Sequence, residues 1–450
     1  MTDPRFFSRA EAREITERAL SYSTSDQARV NLRSGVEGNT RFAANQMTTA
    51  GDVTDASVTV TSAFGRRVAS ATTNRLDEDS LRRVVESSER MARLVPEDPE
   101  YLGELEAGDI PEPEAFFPST ANLDAARRGQ VVSRLLEPAR ERGLDASGFL
   151  VFRASAQAVT TSRGLFAYHP STLATLTTTV RTPDGTGSGW AGVGGNDWDR
   201  VDAVEAGRTA VRKAEASRDP EPVEPGRWTV ILEPTAVGNM VNLLMGQLSA
   251  RQAAEGRSFF GVGDGETRIG ERFVDPRVTI YSDPLDPDLF TAPFSGEGLA
   301  NRRMVWVKDG VLHNLVYDRY WAEQEAREPT GFPAGYKMEG GDSTVDEMIA
   351  STERGLLVTR FWYIRAVDPR TILNTGLTRD GTFLIENGRI TRPVQNLRWN
   401  ESPVQMLNNV EMVGPAVRVN ASGSGDLGAN VVVPPLKVRD FTFTSVSDAV

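Results

Sequence analysis

Cysteine is absent from this chain, and histidine occurs only at His169 and His313. The first absence removes disulfides, thiolate nucleophiles and every sulfur-ligated metal site. The second leaves little for a first-row metal, which takes several imidazole or thiolate ligands at short spacing. Neither histidine has another near it in sequence, so surface or core packing is the expected role of each. No Asp-rich loop of EF-hand type is present, although composition leaves an all-carboxylate magnesium or calcium site open. Basic residues are outnumbered by acidic ones, 50 against 62, for a net charge of −12. Their pairs Arg82-Arg83, Arg127-Arg128 and Arg302-Arg303 are scattered, whereas a nucleic-acid surface needs a basic stripe. No apolar run approaches the ~18 residues of a membrane span. Residues 1–5 show no basic region leading into an apolar stretch, so no secretory signal is visible and the cytosol is the default location.

What is present is an ordinary globular composition, 39% hydrophobic and 25% charged over 450 residues, enough for two or three cores. Ser8-Arg9-Ala10-Glu11 is a capping box that opens a helix to about Ser23. Alternating segments at 28–33, 40–46, 57–62 and 67–71 predict antiparallel strands with one wet face. Helices are expected at 79–95, 123–142 and 201–216, the first ended by Pro96 and the second by Gly143. Acidic, proline-rich residues 96–118 read as a surface crossing, and strands follow at 148–154, 165–168 and 173–180. Arg218-Asp-Pro-Glu-Pro-Val-Glu-Pro-Gly226 holds three prolines and a glycine and reads as a stiff, exposed linker. Beyond it a strand at 227–232 feeds an amphipathic helix over 235–254. Hairpins around Asp309-Gly310 and Asn387-Gly388 and strands at 356–366, 417–420 and 436–443 come next. The elements predict an α+β protein in two domains. Residues 1–217 form N-terminal helices packed on an antiparallel sheet, 218–226 a linker, and 227–450 a β-rich domain with one long helix.

Several chemistries can be weighed directly. Gly185-Thr-Gly-Ser-Gly-Trp-Ala-Gly192 lacks the Lys-Ser/Thr and the parallel βαβ setting of a phosphate loop, so a turn or strand edge is expected. Gly423-Ser424-Gly425 lacks the spacing and the strand-to-helix setting of a nucleophile elbow. Asp283 and Asp286 lie in a proline-rich segment and read as a solvated turn. In Phe361-Trp362-Tyr363, alternation puts Phe361 and Tyr363 on one face, which predicts core packing. The flanking Arg360 and Arg365 offer guanidiniums able to clamp a peptide carboxylate bidentately.

Phe294-Ser-Gly-Glu-Gly298 precedes the hairpin ending at Val311-Leu312, and Asp318-Arg319-Tyr320-Trp321-Ala322 follows it. Leu356-Leu-Val-Thr-Arg360 and Phe383-Leu-Ile-Glu-Asn-Gly388 lie farther along, where the resemblance these blocks carry implies paired core strands. In these blocks the chain resembles the TldD/PmbA family of peptidase-like proteins, over most of its length and most strongly from Trp228 onward. The catalytic branch of that family carries His-Glu-x-x-x-His on the long helix, two imidazoles for zinc and a glutamate as general base. Counting back from Gly256-Arg257-Ser258, those places hold Val241, Asn242 and Gly246 here. Valine and glycine have no lone pair for a metal, and an amide takes no proton from bound water at neutral pH. The family's third ligand, a cysteine on a Gly-rich loop before the last strand, has no counterpart in Asn420-Ala-Ser-Gly-Ser-Gly425. The resemblance thus points to the metal-free, PmbA/TldE-like branch, whose members pair with a metal-bearing TldD-like subunit. One departure is Arg360-Phe-Trp-Tyr-Ile-Arg365 with Val367-Asp-Pro-Arg370, bulkier and more aromatic than that branch's usual Gly-rich segment, which leaves a diverged subfamily open.

The resemblance implies a subunit with no cofactor of its own, zinc being expected only in a partner. It would bind extended peptides by β-strand addition and support their proteolysis by a TldD-like paralogue. Asn242, Arg251, Tyr363, Arg365 and Ser422 are the candidate substrate-binding residues, and no catalytic residue is expected. Two other readings stay open: a stand-alone enzyme using Asn242, Arg365 or Ser422 in a repurposed cleft, and a non-catalytic homo-oligomeric peptide-binding protein. A dimer with itself or the paralogue, through the β-rich domain or the long helix, is expected. Val237, Val241, Leu244, Met245 and Leu248 follow helical spacing and supply an apolar face for it. Neither nucleic acid nor membrane is an expected partner.

Overall fold

The computed structural model describes residues 6–332, 335–420 and 430–447. Its architecture is α+β, with the N-terminal half set by period-two alternation. β1 (Gln27–Ala43), β2 (Gln46–Phe64), β3 (Arg67–Thr73), β4 (Asp145–Thr161), β5 (Phe166–Arg181) and β6 (Ser188–Gly195) form one sheet. Its order is β3-β2-β1-β4-β5-β6, and every pairing is antiparallel. Even-numbered residues of β1, among them Val30, Leu32, Val36 and Phe42, are buried. They pack under α1 (Arg9–Ser21), α2 (Glu78–Ala92), α3 (Pro118–Ala121), α4 (Ala125–Glu141) and α5 (Ala203–Ala216). Odd-numbered residues such as Arg29, Asn31, Arg33 and Glu37 remain at least partly open to water.

Local signals fix the helix starts. Ser8 and Glu11 form the expected capping box, and Asp77, Asp124 and Asp202 each accept a backbone N–H of the helix that follows. The segment read at 28–33 and the first part of that read at 40–46 are one continuous strand, which ends at Ala43 before a turn at Ala44 and Asn45. Gly35 sits between them because β4 comes so close that a Cβ there would lie 2.6 Å from the Ala154 carbonyl oxygen.

β7 (Gly226–Leu232) opens the C-terminal half in a nine-stranded mixed sheet. It pairs antiparallel with Leu436–Val446 and parallel with Arg354–Val358. Phe361–Asp368 lies at one edge of that sheet and Arg389–Pro393 at the other. A six-stranded sheet holds the Met304–Lys308 and Val311–Leu312 hairpin together with Gly335–Met338. Residues 218–226 run mostly exposed, but they are strapped to the body. Glu221 N–H donates to the Pro393 carbonyl at 3.2 Å, and Gln395 N–H to that of Glu221 at 3.0 Å.

Three expectations need correction. The helix read over 235–254 is two helices, α6 (Pro234–Met245) and α7 (Ala250–Ala254), with Ser249 as the N-cap of the second. The break lets Leu248 and Ala250 exchange backbone hydrogen bonds with Val316 at 2.7 and 3.0 Å, which a continuous helix cannot do. Its apolar residues Val237, Val241, Leu244, Met245 and Leu248 are buried in the chain's own core beside Trp306 and Trp399, so they are not a docking face. Finally, Phe361 and Tyr363 do not share a face. A register shift follows Trp362, Tyr363 takes a φ of 53°, and Phe361 is buried while Tyr363 is 58% exposed. Among the described residues no helix is long and apolar enough to cross a membrane.

Candidate functional site

The wet face of the N-terminal sheet and the C-terminal half enclose a cleft of about 930 Å³. The sheet supplies Arg29, Asn31, Arg33, Ser57, Thr59 and Gln157. Opposite stand Met245, Gly246, Ser249 and Gln252 from the helix break, Ser295, Gly296 and Glu297 from one loop, and Asp318 and Arg319 from another. Three separated sequence blocks therefore meet at one place. The helix break makes this possible, since it turns Gly246 and Ser249 toward the sheet. A second cavity of about 680 Å³ continues along the same sheet face and shares Arg33, Ser57 and Gln157 with the first.

Charge pairs within each half brace the walls, and hydrogen bonds tie the two halves together. Arg29 meets Glu104 at 3.0 Å, and Arg319 meets Glu297 at 3.1 Å while donating to the Gly103 carbonyl at 2.8 Å. Burial pushes the Glu104 carboxyl above its ordinary range against the pull of Arg29. Burial and the neighbouring Glu104 likewise push the Tyr101 hydroxyl up. Asn31 donates to the Gly296 carbonyl at 2.8 Å, and Phe294 packs with Val159 and Leu165, so the loop over the cleft is docked on the sheet. His169 lines the second cavity, is 5% exposed, and is pushed down to about 4 by burial. His313 is exposed on the surface.

Sequence models of PmbA/TldA metallopeptidases match this chain in order: domain 1 at residues 28–92, the central domain at 122–218 and the C-terminal domain at 225–445. The chain belongs to the TldD/PmbA family. A metalloprotease of Methanothermobacter thermautotrophicus is 25% identical over 264 residues, which is 54% of this TldD/PmbA chain and 56% of that protein. The zinc metalloprotease TldD homolog of Saccharolobus solfataricus is 22% identical over 239 residues, 48% of this chain and 51% of the relative. The chain spans about half the length of the curated relatives it matches. The crystal structure of TldE from Thermococcus kodakarensis superposes with a TM-score of 0.84 at 16% identity, covering 97% of this chain and 100% of that one, which shows the shared fold.

A TldD/PmbA metallopeptidase implies a metal, and the described residues at the three helix positions do not fit one. The Val241 side chain is 0% exposed within the core, and Gly246 has none. Asn242 is exposed one turn before Gly246, and its Oδ1 accepts the Tyr336 hydroxyl at 2.8 Å. Burial pushes the Tyr336 phenol well up, so it keeps its proton and holds the amide as its acceptor. Among the described residues no group of three or more His, Cys, Asp or Glu is placed to hold a metal.

The other candidates are dispersed. Arg251 is engaged by Glu100 at 2.9 Å and Glu255 at 3.1 Å, and it does not line the cleft. Arg365 lies over the Tyr363 ring at 4.3 Å on the edge strand and donates to the Ile364 carbonyl, again away from the cleft lining. Arg360 is buried between Trp190 and Trp362 with Asp380 at 3.4 Å, as part of the contact between the two halves. Ser422 lies outside the described residues. The sheet wall, with Arg33 and Gln157, was not singled out from sequence. Its signal is the row of polar residues at alternate positions of β1, indistinguishable from an ordinary solvated face until the second half roofs it.

Proposed function

We propose that this chain is a metal-free, TldE-like cytosolic subunit that binds extended peptides and supports their proteolysis by a zinc-bearing TldD-like partner. The observation that carries the reading is the open face of α6, where Asn242 and Gly246 offer a single, already engaged amide beside a cleft of about 930 Å³. That volume lies within the range of ordinary ligand pockets, and the continuation along the sheet suits an elongated rather than a compact occupant. The Phe361–Asp368 strand is an edge of its sheet and offers a further place for a peptide strand to add. Dimerisation with the paralogue or a second copy belongs to the same reading.

The test is peptidase activity on unfolded peptides, measured for the full chain alone and co-purified with a TldD-like paralogue. Chelator-sensitive cleavage is expected from the pair only, and it should vanish when the paralogue's own zinc-binding histidines are replaced. Chelator-sensitive cleavage by the pure chain overturns the reading.

A further inference from the structure

Four arginines line the cleft and its continuation: Arg29, Arg33, Arg153 and Arg319. Three are neutralised within the chain, Arg29 by Glu104, Arg319 by Glu297 and Arg153 by Glu37. Arg33 is different. Among the described residues no ion pair, hydrogen bond or aromatic ring holds its guanidinium, which is exposed at the junction of the two cavities. The strand register places Ser57 directly opposite it on β2 and Gln157 directly opposite on β4. Neither of these side chains has a hydrogen-bond partner among the described residues, and both line the two cavities with Arg33.

We infer that Arg33, Ser57 and Gln157 form a receptor for a carboxylate of the bound peptide, midway along the trench. This rests on the peptide-binding reading above. A guanidinium presents a planar fork of N–H donors that matches a carboxylate, and the flanking hydroxyl and amide supply further donors from both sides. In a protein of net charge −12 an anionic group gains little from the overall field, so its recognition has to be local. Asp55 stands opposite Gly35, one step along the sheet, lines only the second cavity and makes no ion pair with Arg33. It gives the site a polarity: the carboxylate sits at Arg33, and a cationic or N–H-bearing part of the peptide points toward Asp55.

A carboxylate can come from a peptide C-terminus or from an acidic side chain, and the two are separable. Fluorescence anisotropy with the full chain would compare three labelled peptides of one otherwise neutral sequence: a C-terminal amide, its free acid, and the amide with one Gln replaced by Glu. One of the carboxylate peptides should bind about tenfold tighter than the plain amide, and which one does so identifies the source. Arg33→Met should erase that advantage, so that the three peptides bind alike, while Arg33→Lys keeps part of it. Unchanged unfolding midpoints would show that both variants are folded. Equal binding of the three peptides, or an advantage that survives Arg33→Met, overturns the carboxylate receptor alone. Absence of binding by all three overturns the peptide reading with it.

Discussion

The sheet wall of the cleft is laid down by strict alternation, with Leu32 under the helices and Arg33 over the cleft, whereas the opposite wall is pieced together from the break after α6 and the loops around Glu297 and Arg319. On the sheet wall, packing and ligand-facing duties fall to different residues. β1 and β4 pair from Arg29 to Phe42 without a register shift, and every wet position is bracketed by buried neighbours. On the helical side an exposed residue is tied to the core. Asn242 sits on the open face of α6 and also satisfies the buried Tyr336 hydroxyl. A chain can therefore change its ligand chemistry cheaply on the first wall, while on the second a change of chemistry also touches the core.

The largest expected contrast is between adjacent residues of β1. Leu32→Ala should cost about 2–5 kcal/mol by urea unfolding, because a fully buried side chain leaves a cavity. Arg33→Ala should stay within about 0.5 kcal/mol, since nothing among the described residues holds it. Similar costs at the two positions would break the separation of duties on the sheet wall. Farther along that wall, buried His169 should make stability pH-dependent. Its imidazole is pushed down to about 4 in the folded chain against an ordinary 6.5, so the unfolded chain takes up the proton first as the pH falls. Stability should therefore decline from about pH 6.5 toward pH 4, by up to about 3 kcal/mol, and His169→Gln should flatten that decline. Urea midpoints at pH 7.5 and 4.5 check both.

On the helical wall, Asn242→Ala should cost about 1–2 kcal/mol by leaving the Tyr336 hydroxyl without its acceptor. An unchanged midpoint would show that the wall is as modular as the sheet. The smallest effect is expected one turn later. Gly246 has helical φ −67° and ψ −10°, and an added Cβ meets nothing closer than 3.5 Å. Gly246→Ala should therefore stabilise the chain slightly, by about 0.5 kcal/mol in the same titration. Destabilisation there would mean that the position is closed to side chains.

The same contrast explains what could be read in advance. Alternation, caps and Asn-Gly or Asp-Gly turns were legible in the sequence because they are local; the capping box at Ser8 and the hairpin at Asn387-Gly388 formed where they were expected. The break after Met245 was masked. Ser249 is a good N-cap, but the helical spacing of Val241, Leu244, Met245 and Leu248 runs straight through it, and only the long-range bridge to Val316 decides. Tyr363 carries a positive φ that no residue type announces, so its face could not be foreseen. The blocks around Glu297 and Arg319 were recognisable as family signatures, but that they close over Arg33 depends on tertiary packing of distant segments.

Zinc content tests the central claim most directly. The full chain would be purified alone, dialysed against a weak chelator and analysed for metal, and then analysed again after co-purification with a TldD-like paralogue. The account predicts no stoichiometric zinc in the chain alone and zinc in the pair that is lost when the paralogue's histidines are replaced. A full equivalent of zinc retained by this chain alone would contradict it.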